Sequence, residues 1–207
     1  GWLRFMKKIF LNYEQQLTKL QDEKKLSIPD WDYAREMLKR YSYYSLISGY
    51  KKQFKNPDTA TYREDVCFND IVALYEFDES LRSLFLKYLQ KIEREMKSYI
   101  SFYFCEKYGE MQEEYLKSSN YNYSNKNRRD INKLIKILKR YTEGNTDYHY
   151  INHASTKYGN VPLWVLINAL TFGNISKFYM LSRYDLQAKI SINFEGINES
   201  QLSKILI

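Results

Sequence analysis

The stretch YEFDESLRSLFLKYLQKIERE, residues 75–95, decides the fold. It contains neither Gly nor Pro, and its apolar residues return every three or four positions, the period of one face of an α-helix. Followed outward, the pattern predicts a single helix from about Phe68 to Tyr108, ended by Gly109. Ile71, Leu74, Leu81, Phe85, Tyr88, Ile92, Met96, Tyr99 and Tyr103 trace its expected buried face. Asp78 with Arg82 and Glu93 with Lys97 form i,i+4 pairs on the other side, each worth only about 0.2–0.5 kcal/mol, so burial has to hold the helix. Roughly forty residues at 1.5 Å rise would span about 60 Å, longer than a compact domain of this size, and a kink near Ser98–Phe102 or an overhang is expected. The stretch has no nucleophile beside a base, no Gly-rich loop and no metal-ligand spacing, so it reads as a spine against which other elements pack.

Those other elements are also helical. With 7 Gly and 3 Pro in 207 residues, the chain has few turn-makers for a many-stranded sheet. A helix is expected from Phe10 to about Lys25, with Leu11, Leu17 and Leu20 in the core. A second begins with Pro29 in its first turn and ends near Gly49. HYINHASTKYG (residues 149–159) is a further helix. VPLWVLINALTFG (161–173) is nearly all apolar and expected to be buried, with Pro162 in its first turn, Gly173 at its end and an Asn174 cap on the next helix. DLQAKISINF and NESQLSKILI follow. The fold class is all-α: a helical bundle with one long central helix and several shorter packed helices, one domain over residues 6–207. Gly1 to about Phe5 read as a remnant outside the natural chain, with Met6 near the natural start.

No apolar run approaches the roughly 18 residues of a membrane span. Cys67 and Cys105 fit neither a disulfide framework nor a CxxC site, and are expected as buried thiols in a reducing cytoplasm. The 21 tyrosines, alongside abundant Lys, Asn and Ile, read first as the mark of an AT-rich coding genome rather than as stacking platforms. Trp164 and Phe172 are expected in the core, whereas Tyr41, Tyr43, Tyr44 and Tyr50 are too many phenols in ten residues to face one core.

The charge is localised. Of 32 basic and 25 acidic residues, eight bases and one acid lie between Lys117 and Arg140, so this stretch carries 8 − 1 = +7 and the remaining 24 bases and 24 acids balance. Within it DINKLIKILKRY (130–141) is helical, with Ile131, Leu134, Ile135 and Leu138 on one face and Arg129, Lys133, Lys136 and Arg140 at i, i+4, i+7 and i+11 on another. Such a stripe suits a phosphate backbone, because each neutralised phosphate releases counterions. An anionic membrane fits less well, since the apolar face lacks Trp and Phe. The bland alternative is a solvated face with no partner. Lys126, Arg128, Arg129, Lys133, Lys136, Lys139 and Arg140 are the candidate RNA-binding residues, preceded by a polar, turn-rich loop, KSSNYNYSNKNRR (117–129), expected to be mobile in the free protein.

His149 and His153 lie four apart and share a helix face, the arrangement by which two imidazoles grip zinc. HYINH, however, lacks the Glu that follows the first His of HExxH, and no third ligand is evident, so no metal is expected and the pair reads as solvent-facing or as an RNA contact.

The string DIVALYEFDESLRSLFLKYLQKIEREMKSYI (70–100), preceded by YSYYSLISGYKKQF (41–54) and followed by VPLWVLINALTFGNISKFY (161–179), resembles the Abi-like proteins of the AbiD/AbiF abortive-infection group, bacterial phage-defence proteins placed in the HEPN superfamily. The likeness runs from about Leu17 to Leu206. It implies an all-helical cytoplasmic protein acting on or with RNA rather than DNA, with a small noncoding RNA or a second copy of itself as candidate partners and no cofactor. HEPN ribonucleases cut RNA without metal, using an Arg and a His separated by four to six residues on one helix. Neither histidine here has an Arg at that distance: the nearest upstream, Arg140, is eight intervening residues before His149. In the family the Arg-Asn…His segment follows a helix like SQLSKILI, where this chain stops, so no catalytic residue is assigned. Three functions remain open: a phage-defence RNA-binding protein, a toxin ribonuclease needing a further C-terminal segment, and a protein-interaction module.

Overall fold

The computed structural model describes residues 9–143 and 146–206. The reading of Gly1 to Phe5 as a remnant falls outside them. The described residues form helices joined by short connections, and no strand longer than an isolated bridge forms among them. The all-α expectation holds. The chain divides into two compact units, one reaching Leu86 and one starting at Lys87.

In the first unit α1 (Tyr13–Thr18) starts at a capping box, in which the Asn12 side chain accepts from the Gln15 amide while the Gln15 side chain accepts from Asn12 N–H. The helix thus begins after Phe10, which is exposed, and continues as a π-helical turn over Lys19–Glu23. Asp30, whose Oδ1 accepts from Tyr33 N at 2.9 Å, caps α2 (Trp31–Tyr41), so Pro29 precedes the cap instead of occupying the first turn. The helix stops at Ser42, with φ of 63°, and not at Gly49. Gly49, at an ordinary φ of −66°, joins a π-helical turn (Tyr44–Ser48) to α3 (Gly49–Phe54). Leu17, Leu20, Leu38, Leu46, Phe68 and Ile71 are core residues of this unit. Tyr41 and Tyr50 pack on Tyr75 with ring centroids 4.5 and 5.6 Å away, while Tyr44 is exposed, so the four phenols divide as expected.

The long helix α4 (Phe68–Tyr108) is uninterrupted through Ser98–Phe102. It ends at Gly109, whose φ of +94° is one that a side chain at Cβ disfavours. Its expected buried face is only partly buried. Ile71 and Met96 are in the cores and Leu74, Ile92, Tyr99 and Tyr103 are half-buried, but Leu81, Phe85 and Tyr88 are exposed. Periodicity places apolar residues on one face without supplying the element that covers them. Both predicted ion pairs, Asp78–Arg82 and Glu93–Lys97, are present.

The second unit contains α5 (Gln112–Leu116), α6 (Arg128–Thr142), α7 (His149–Tyr158), α8 (Leu163–Leu166), α9 (Phe172–Leu181), α10 (Tyr184–Ser191) and α11 (Glu199–Ile205). The apolar run 161–173 is not one helix: α8 passes into a 3₁₀ turn and the chain becomes extended at Leu170. Thr171 then caps α9, with its side chain accepting from Asn174 N, so Gly173 lies inside α9 and Asn174 is not its cap. Trp164, expected in the core, is 48 % exposed. Leu163, Leu166 and Ile167 take the inward positions at i, i+3 and i+4, which turns Trp164 outward. Phe172 packs half-buried against the core. At the centre, the rings of Phe104 and Tyr121 each lie 5.5 Å from Phe178.

Candidate nucleic-acid interface

α6 is the most amphipathic element of the second unit, and the physical reason is visible residue by residue. Ile131, Leu134 and Leu138 are buried and Ile135 is half-buried. Tyr141 donates its hydroxyl to Ala169 O at 3.4 Å. This face packs α6 against α5, α7 and α9, and the charges are left outside. Lys126, Arg128, Arg129, Lys133, Lys136, Lys139 and Arg140 are all exposed. At 100° per residue Arg129, Lys133, Lys136 and Arg140 fall within an arc of about 60°, and they extend over about 16 Å of helix.

Most of these charges are unspent. Lys133 stands 3.8 Å from Asp130 and Lys139 2.9 Å from Glu143. Just upstream, Lys117 pairs with Glu114, whose carboxyl is held below its usual range first by Lys117 and then by the Asn120 amide. Among the described residues no acid pairs with Lys126, Arg128, Arg129, Lys136 or Arg140. Arg128 and Arg129 also occupy the first turn, where the helix dipole disfavours cations by about 0.3–1 kcal/mol. Asp130 offsets one of them.

The loop before α6 is more anchored than its composition suggests. Tyr121 is buried and donates to Tyr115 O at 2.7 Å, and the Tyr115 hydroxyl donates to Val161 O at 2.6 Å. Asn122 N donates to Leu181 O at 2.8 Å, beside an antiparallel bridge between Tyr121 and Ser182. The Asn127 side chain donates to Asn122 O at 3.2 Å, which ties the loop to the start of α6.

That bridge assembles a notch of about 310 Å³ lined by Tyr123, Arg183 and Tyr184 together with Asn122 and Asp185. Tyr123 and Tyr184 present exposed rings. Asp185 is neutralised by Lys107, which hydrogen-bonds to it and holds its carboxyl below the usual range. An arginine that lines one notch with two exposed phenol rings can stack with planar groups and pair with phosphate. The sequence carried no signal for it, because about sixty residues separate Tyr123 from Arg183 and only the backbone bridge brings them together.

His149 and His153 lie one turn apart on α7 and are both exposed, with the His153 ring edge-on to Tyr158 at 6.2 Å. The described residues contain no cluster of three or more His, Cys, Asp or Glu able to hold a metal. Cys67 and Cys105 are free and half-buried, and burial pushes the Cys105 thiol up to about 11. No described helix is long and apolar enough to cross a membrane.

The model of one protein family, described as Abi-like protein, matches residues 36–207. The chain belongs to the Abi-like protein family. The match takes in most of the first unit and all of the second, α6 and the notch included, and it supports a role in phage defence by abortive infection. No curated protein and no solved structure matches this Abi-like protein.

Proposed function

We propose that this Abi-like protein serves phage defence by binding RNA on the exposed face of α6. The observation that carries the reading is the helix itself: its apolar face is buried in the second unit, while seven cations in and beside it face solvent, most without an acidic partner. The notch of Tyr123, Arg183 and Tyr184 extends that surface with rings on which unpaired bases can stack, which favours single-stranded RNA over duplex. A phosphate backbone is the partner whose charge density matches the stripe. The reading includes descent from HEPN ribonucleases and action in the cytoplasm. It assigns binding and not cleavage, since neither histidine has an Arg at the spacing that chemistry requires.

The test is isolation of the protein from its host at native salt, with sequencing of the copurified RNA, beside a variant in which Arg129, Lys133, Lys136 and Arg140 are replaced by Ala. All four are exposed, so the variant keeps the core of α6. We expect one dominant small RNA with the wild type and none with the variant. Against that RNA in vitro, the slope of log affinity on log salt should fall by about 3, at roughly 0.7 per phosphate contact for a single strand. An unchanged affinity and slope would show that α6 is not the binding face.

A further inference from the structure

The first unit brings together three lysines from two separate segments. Lys24 follows the π-helical turn after α1, while Lys51 and Lys55 lie one helical turn apart at the end of α3. Tyr62 joins the segments: its amide donates to Lys24 O at 2.9 Å, it forms an antiparallel bridge with Lys55, and the Lys55 ammonium stands 5.5 Å from its ring centroid. All three lysines are half-buried, whereas Lys52 on the same helix is exposed. Among the described residues no acid pairs with any of the three, although Asp22, Glu23 and Asp58 are close in sequence. Arg63, next to Tyr62, is already taken by Asp65 at 3.3 Å and by Gln53 O at 2.9 Å. Burial pushes the Lys55 ammonium below its usual range, and Lys24 and then Lys51 push it further. Like charges that converge in a partly buried place oppose folding until a counter-charge joins them.

We infer that Lys24, Lys51 and Lys55 hold a phosphate group carrying more than one negative charge, either the terminal phosphate of an RNA or a free polyphosphate. Charge selects the ligand class. A carboxylate sets one negative charge against three positive ones, whereas a terminal phosphate brings about −1.5 to −2 and three acceptor oxygens. The Lys55 ammonium donates to Ala60 O at 2.7 Å and keeps two further N–H donors for a ligand. Lysine serves phosphate as a compact point charge, while the planar fork that carboxylates favour belongs to Arg. The inference does not rest on the RNA reading of α6, because every residue it uses lies in the first unit.

The experiment is isothermal titration of inorganic triphosphate into the full chain at fixed ionic strength, with Arg129, Lys133, Lys136 and Arg140 replaced by Ala so that α6 does not contribute. The expected result is one site whose affinity falls at least ~10-fold in Lys24→Gln and in Lys51→Gln, the weight of one charge-assisted contact, and changes little in Lys52→Gln. In the absence of triphosphate, Lys51→Gln should raise the urea midpoint, because it removes a like charge, where the loss of a structural contact would lower it. Competition separates the two sources. Displacement of triphosphate by a short 5′-phosphorylated RNA, but not by its 5′-hydroxyl form, identifies an RNA end, and displacement by neither identifies a free polyphosphate. No binding at about 1 mM triphosphate, equal losses in Lys51→Gln and Lys52→Gln, or equal displacement by the 5′-hydroxyl RNA would each overturn the inference.

Discussion

Tyr121 joins the loop before α6 to the core. It is buried, its ring contacts Phe178, and its hydroxyl serves Tyr115 O. Burial raises its pKa well above the ordinary 10.0, and it also raises those of Tyr115 and Tyr179. The sign of the linkage follows. Above pH 10 the unfolded chain releases these protons while the folded chain keeps them, so the unfolded state is favoured. Stability is therefore full below about pH 10 and falls as pH rises beyond it. Urea midpoints at about pH 8 and pH 10.5 should show that fall, and Tyr121→Phe should reduce it. The same substitution should cost about 1 kcal/mol near neutral pH, through the lost hydrogen bond. A midpoint that stays flat across that range would mean these phenols are open to solvent. Little of this was legible in the sequence: a chain with 21 tyrosines does not announce which few lie inside, because a phenol is comfortable in either place.

Among the elements, the break between α2 and the helical turn after it shows how a local conflict escapes a reading based on residue preferences. Ser42 has φ 63° and ψ 150°, a conformation costing most non-glycine residues about 1–3 kcal/mol. Its hydroxyl makes a weak return, accepting from Ser45 N at 3.4 Å and donating to Ser45 Oγ at 3.2 Å. Ser42→Gly should therefore stabilise the first unit by about 1 kcal/mol, whereas Ser42→Ala keeps the strain, loses these bonds and should destabilise it slightly. Chemical denaturation of the two variants checks this, and equal effects would remove the strain argument. Gly49 drew the predicted helix end because Gly terminates helices often, yet it sits mid-helix with ordinary angles. Asn198 and Gln201 form a capping box on α11, whereas the cap of α9 falls to Thr171, three residues before the expected Asn174.

At the scale of the whole molecule the buried residues form two separate clusters, one in each unit, with α4 contributing to both. Two cores of this kind predict two unfolding steps. Phe178→Ala, which empties the centre of the second cluster, should lower one transition by about 3–5 kcal/mol and leave the other in place, and Leu46→Ala should do the reverse by about 2–5 kcal/mol. Differential scanning calorimetry reads this directly, and a single transition shifted by both substitutions would show one cooperative unit.

By itself the sequence determined the helical class, the span of α4 to within a residue, its end at Gly109, and an α6 with an apolar and a basic side. These follow from the periodicity of side chains around one helix, a property each segment carries alone. It also located the net charge, since charge adds along the chain irrespective of fold. The tertiary structure alone decided which apolar faces are covered. It buried Ile71 and Met96 and left Leu81, Phe85 and Tyr88 bare, turned Trp164 outward, and brought Tyr123 beside Arg183 through one backbone bridge. The physical reason is that burial is a relation between elements: a helix can present an apolar stripe, but only what packs against it removes that stripe from water.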